Sequence, residues 1–110
     1  MQVQAITKNV RMSAQKMRET VRQIQGLSAL HAQAVLAFVP RKSARVVAKT
    51  LKSAIANAEN NNGAKPETLK VKEAVAQTAR SLKRFTPKAR GSAGPIIKRS
   101  CHVKIVVSDE

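Results

Sequence analysis

Residues 78–100 read TARSLKRFTPKARGSAGPIIKRS, and how this stretch is interpreted decides the fold. Its apolar residues are too few and too irregularly spaced to pack against helices. Pro87, Gly91, Gly94 and Pro95 cluster in its middle, as at the tip of a long hairpin. On both sides the apolar period is two. Leu69, Val71 and Val75 alternate with Lys70, Lys72 and Ala74 before it; Val103, Ile105 and Val107 alternate with Lys104 and Val106 after it. The flanks therefore read as a pair of antiparallel strands. The stretch between them reads as an extended ribbon of roughly 15 residues each way, projecting about 50 Å. A floppy surface loop is the plainer alternative. A two-stranded ribbon is marginal in water because nothing covers its faces, so something outside the chain is expected to hold it.

The charge pattern says what that something is. The 110 residues carry 21 Lys+Arg against 6 Asp+Glu, a formal net charge of +15. From Ala74 to Ser108 there is no acid, yet Arg80, Lys83, Arg84, Lys88, Arg90, Lys98, Arg99 and Lys104 fall inside. Between Glu19 and Glu59 there is again none, with Arg22, Arg41, Lys42, Arg45, Lys49 and Lys52. An ordinary solvated surface mixes signs. Long single-sign stretches repel themselves, and a dense polyanion relieves that repulsion. Phosphate is the expected partner.

The remainder reads as a folded anchor. Residues 2–10 alternate weakly and suggest a short strand. Ser13 suits an N-cap, with Ala14, Met17, Val21 and Ile24 following at helical spacing and Gly26 placed for a left-handed stop. Ser28 suits a second N-cap, for a shorter helix through Phe38 that buries Ala32, Val35 and Leu36. Pro40 fits the start of a third helix over about 41–60. Its stripe is Ala44, Val47, Ala48, Leu51, Ala54, Ile55 and Ala58, and Asn60-Asn61-Asn62-Gly63 ends it. The expected fold is α+β, with three helices packed on a small antiparallel sheet and a long extended β-hairpin. It forms one domain, with a globular body at about 1–77 and 101–110 and the hairpin at about 78–100. The hydrophobic fraction of 43% is too high for a wholly disordered basic tail.

Several function classes drop out. No apolar run approaches the roughly 18 residues of a membrane span, and the start lacks a secretory pattern. Cys101 is the single cysteine, which leaves no disulfide framework or cysteine metal cluster and suits a reducing cytoplasm. Cys101 and His102 are neighbours on a strand, so their side chains diverge. No carboxylate stands near either His31 or His102 in sequence to orient a general base. No catalytic centre, metal site or cofactor is expected. Aromatic content of 2% argues against stacking of single-stranded bases. A general nucleoid-type nucleic-acid-binding protein shares the charge, but should show a dimer interface or a recognition helix. A cationic membrane-active protein should carry bulky apolar residues opposite its lysines, where the third helix has alanines.

Four segments carry a resemblance. They are Arg11-Met-Ser-Ala-Gln-Lys-Met-Arg18, Lys52-Ser-Ala-Ile-Ala-Asn-Ala-Glu-Asn60, Lys83-Arg-Phe-Thr-Pro-Lys-Ala-Arg-Gly91 and Lys98-Arg-Ser-Cys-His-Val-Lys-Ile-Val-Val-Ser-Asp109. In order and in register, they resemble the bacterial large-subunit ribosomal protein twenty-two (L-twenty-two) family over essentially the whole chain. The resemblance implies a structural rRNA-binding protein of the cytoplasmic large subunit that supports assembly. Its body would sit near the peptide exit, and its hairpin would thread through rRNA so that the tip helps line the nascent-peptide tunnel. The implied partners are large-subunit rRNA, neighbouring large-subunit proteins and the passing nascent peptide, with no membrane and no homo-oligomer.

On that reading Lys8, Arg11, Lys16 and Arg18 near the first helix, with Lys49 and Lys52 on the third, contact phosphate. Arg80, Lys83, Arg84, Lys88, Arg90, Lys98 and Arg99 line the hairpin and neutralise packed RNA backbones. The tunnel-facing tip is Lys88, Ala89, Arg90, Gly91 and Ser92. This chain departs from the family's pattern at Lys88, where Arg is usual, at Ser92, and at Gly94-Pro95; a lysine supplies a point charge where arginine supplies a planar fork.

Overall fold

The computed structural model describes residues 2–87, 91 and 93–109. Alternating apolar residues build three of its strands into one antiparallel sheet. β1 (Gln2–Val10), β2 (Lys70–Thr78) and β5 (Cys101–Ser108) lie in the order β1-β5-β2. The first and last strands of the chain are thus neighbours, with Val3 opposite Val107, Ala5 opposite Ile105 and Thr7 opposite Val103. On the other edge Val71, Ala74 and Ala76 stand opposite the same three β5 residues. Ala5, Val71, Ala74, Ala76, Val103, Ile105 and Val107 make one buried face.

Three helices cover that face. α1 (Ala14–Ile24) is capped by Ser13, whose Oγ accepts the Lys16 backbone N–H at 3.4 Å. It buries Ala14, Met17, Val21 and Ile24, the four expected residues, together with Thr20. α2 (Ala29–Phe38) is capped by Ser28 in the same way, through the His31 N–H at 3.3 Å. It buries Ala32 and Leu36, but Val35 is only half-buried. α3 (Lys42–Asn62) starts two residues after Pro40, so this proline precedes the helix instead of opening it. The three asparagines remain helical, and the turn falls to Gly63 at φ 64°, a conformation that costs glycine nothing. Ala44, Val47, Leu51, Ala54, Ile55 and Ala58 are buried, with Ala48 half-buried at the edge of the stripe. Gly26 (φ 80°) turns the chain out of α1, and its N–H donates to the Val71 carbonyl at 3.0 Å. That bond ties the helix end to β2.

Two hydroxyl pairs join these layers. Thr20 of α1 and Ser43 of α3, both buried, bond to each other at 2.5 Å, and Thr7 of β1 meets Thr50 of α3 at 2.6 Å. An unmatched buried hydroxyl costs about 1–3 kcal/mol, whereas removing both partners is nearly neutral. Thr20→Val is therefore expected to lower the unfolding free energy by about that amount, and Thr20→Val with Ser43→Ala to regain most of it. Urea denaturation of the two variants checks this, and equal losses in both would remove the pair's role.

β3 (Leu82–Pro87) and β4 (Ala93–Lys98) form a separate two-stranded antiparallel ladder, Leu82 opposite Lys98 through Pro87 opposite Ala93. Six residues per strand give a ladder of about 20 Å, shorter than the ribbon expected from the sequence. The reason is a break at its base. Residues 79–81 and 99–100 leave the strand pattern. They are joined instead by the Ala79 N–H to the Ser100 carbonyl at 3.1 Å and by Ser100 Oγ donating to the Arg80 carbonyl at 2.7 Å. Leu82 and Ile97 remain 43% and 49% exposed, because no helix reaches them. The long axis of the molecule is 63 Å against 26 and 17 Å, and the radius of gyration of 17.1 Å exceeds the roughly 13 Å of a compact domain this size.

Candidate nucleic-acid interface

The break at the hairpin base creates the site. As the chain leaves β2 and returns to β5 it passes the N-terminus of α1. An open groove of about 560 Å³ lies between them, lined by Ser13, Gln15, Lys16 and Arg18 of the helix and by Thr78, Ser81, Arg99 and Ser100 of the hairpin base. A second groove, about 470 Å³, continues past Arg99 and Ser100 to Arg11, Lys98, Leu82 and Ile97. Five of the expected phosphate-binding residues, Arg11, Lys16, Arg18, Lys98 and Arg99, thus meet on one surface although 80 residues of chain separate the first three from the last two.

The electrostatics of this cradle have one sign. The first turn of α1 holds no acid, so its free N–H groups add the positive end of the helix dipole to the nearby cations. Arg11, Lys16 and Arg99 are exposed and have no acidic partner among the described residues. Arg18 is held differently, with Nε donating to the Ala76 carbonyl at 3.2 Å, which leaves the rest of its guanidinium at the groove. Behind it lies Cys101, fully buried. Burial pushes its thiol pKa up, and the Arg18 charge pulls it partly back. His102, next in sequence, is on the opposite face, where its Nδ1 accepts the Asn9 N–H at 3.0 Å. The two side chains diverge as the strand requires.

The other expected residues are dispersed. Lys49 and Lys52 are exposed on the outer side of α3, in a stripe with Lys42 and Arg45. Lys8 is exposed on β1, and Arg80 and Lys83 are exposed where the ribbon begins. Arg84 is placed by its backbone opposite Ile96. Of the tip, Gly91 has φ 74°; Lys88, Ala89, Arg90 and Ser92 lie outside the described residues.

The pattern of the family described as ribosomal protein L22p/L17e matches residues 5–108. The chain belongs to this family. It is similar to the large ribosomal subunit protein uL22 of Opitutus terrae, 53% identical over 109 residues that cover 99% of this chain and 96% of the relative. It is also similar to the large ribosomal subunit protein uL22 of Akkermansia muciniphila, at 44% identity over 110 residues covering 100% of this chain and 98% of the relative. The fold expected from the resemblance, three helices on an antiparallel sheet with a β-hairpin, is the fold observed.

Reading the sequence for charge missed the hydroxyls. Ser13, Thr78, Ser81 and Ser100 line the same groove as Lys16 and Arg99, and a hydroxyl can donate to RNA phosphates and both donate to and accept from 2′-hydroxyls. The available signal was local: Ser100 follows Arg99, Ser81 follows Arg80, and Ser13 stands three residues before Lys16.

Proposed function

We propose that the protein is a structural constituent of the cytoplasmic large ribosomal subunit, without catalytic activity, and that it binds large-subunit rRNA chiefly through the cradle at the hairpin base. The observation that carries this reading is the convergence of Arg11, Lys16, Arg18, Lys98 and Arg99 on two adjoining grooves, in a chain whose family relatives are large-subunit proteins. Cations and hydroxyls around a groove, with helix N–H groups at one end, suit a phosphate backbone and its 2′-hydroxyls. They fix register by shape and carry little base-specific information. Lys49, Lys52, Lys8, Arg80, Lys83 and Arg84 extend the contact outward from the cradle. Residues 1–77 and 101–110 act as the body, and 78–100 as a hairpin inserted into RNA. The tip, Lys88 to Ser92, helps line the nascent-peptide tunnel.

The test is co-sedimentation. The chain is expected to stay with large subunits through a moderate salt wash, near one copy per subunit, and to be displaced by free large-subunit rRNA far better than by duplex DNA. Release in the wash, or equal displacement by DNA, would overturn the reading in favour of a general nucleic-acid binder. A chain lacking 82–96 is expected to keep its helical circular dichroism and still join the subunit, since the core formed by the described residues lies outside that segment. Loss of the helical signal would refute the division into body and hairpin.

A further inference from the structure

In a chain of net charge +15, the ten residues of α2 contain no charged side chain. Its residues are apolar apart from His31 and Gln33, and a helix this apolar ordinarily belongs in an interior. Here only one side of it does: Ala29, Ala32 and Leu36 are buried, while Leu30 is 46% and Phe38 86% exposed. Leu30, Ala34 and Phe38 stand at i, i+4 and i+8, so they share a single exposed face. At the Phe38 end of α2 a groove of about 620 Å³ opens toward α3, floored by Leu36, Val39, Pro40 and Ala44 and rimmed by Lys42 and Arg45. Arg41 beside them is paired with Glu19. Lys42 and Arg45 have no acidic partner among the described residues.

RNA fits this face poorly. Half or more of the hydrogen bonds a protein makes to nucleic acid go to phosphate and sugar, and residues 29–38 carry no Lys or Arg to donate them, only the polar side chains of His31 and Gln33. The exposed Phe38 also sits at the carbonyl end of its helix, where the dipole is negative and disfavours a phosphate. A protein surface has the matching chemistry. The geometry points to the exposed face of α2 and its adjoining groove as a docking site for a protein neighbour within the large subunit. The docked segment presents a large apolar side chain next to an Asp or Glu. The apolar group lies against Phe38 and the groove floor, and the carboxylate pairs with Lys42 and Arg45. This inference rests on the proposed place of the chain in the subunit.

Phe38→p-benzoylphenylalanine in the full chain, assembled into large subunits and irradiated, tests it. The adduct is expected on a protein peptide with an acidic residue within about one helical turn of the attachment point. Adding Lys42→Glu and Arg45→Glu is expected to cut that adduct, counted per copy of the chain bound in the subunit, by about tenfold or more, as facing like charges at an interface do. Four results overturn the inference: an adduct on rRNA, with Phe38 stacked on a base; an adduct on a protein segment without an acid; no adduct in subunits that contain the chain; or a yield insensitive to the charge reversals. Absence of the unsubstituted chain from subunits is a separate outcome. It overturns the ribosomal reading itself and this docking site with it.

Discussion

Changing Arg11, Lys16 and Arg99 together to Gln is expected to weaken binding to large-subunit rRNA on the order of a hundredfold at 0.15 M salt, and to make the remaining affinity less sensitive to salt. Each phosphate contact releases condensed counterions, so a plot of log affinity against log salt should become shallower by roughly two to three. These three residues are chosen because they are exposed around the two grooves and have no acidic partner among the described residues. Removing them takes nothing from the fold and lessens the self-repulsion of a +15 chain. Arg18 is left alone because its Nε bond to the Ala76 carbonyl joins α1 to β2. Filter binding across a salt series measures both quantities, and thermal unfolding serves as the control. Parallel lines for parent and variant would move the RNA contact away from the cradle.

Leu51→Ala is expected to lower the unfolding free energy by about 2–5 kcal/mol. Leu51 is fully buried in the middle of α3, where the helix covers the sheet, and the core around it is rich in alanine. Alanines at 44, 54, 58, 74 and 76 let backbones approach closely but leave few long side chains able to relax into a cavity. The loss should therefore fall toward the upper end. A small domain has a total stability of about 5–15 kcal/mol, so such a change depletes the folded population measurably at 37 °C. Chemical denaturation gives the number, and a loss below about 1 kcal/mol would show that the core can collapse around the missing side chain.

The helices were legible because everything that makes them is local. Ser13 and Ser28 cap within three residues of themselves, Gly63 turns within one, and the buried faces of α1 and α3 repeat at helical spacing. The misreadings at Pro40 and Asn60–Asn62 are boundary errors. Both residue types are compatible with either side of a helix end, and neighbouring structure chooses. For α2 the sequence marks only the buried side, Ala32, Val35 and Leu36, and not the exposed apolar face, since Leu30 and Phe38 have the same hydrophobicity whether covered or not. The ribbon was legible as an extended, acid-free stretch. The break at 79–81 and 99–100 was not, because the contact found there, the Ser100 hydroxyl donating to the Arg80 carbonyl, joins residues twenty apart.

From its own order of residues, this chain established its α+β class, its three helices, its hairpin and the long acid-free runs of its basic residues. Each of these follows from periodicity, capping chemistry and the separation of charge along the backbone. Folding in three dimensions alone settled that β5 lies between β1 and β2, and that Thr20 finds Ser43. It also brought Arg11, Lys16 and Arg18 to Lys98 and Arg99 around one cradle. Strand pairing and side-chain meeting across some hundred residues depend on which surfaces are buried together, and no local pattern records that.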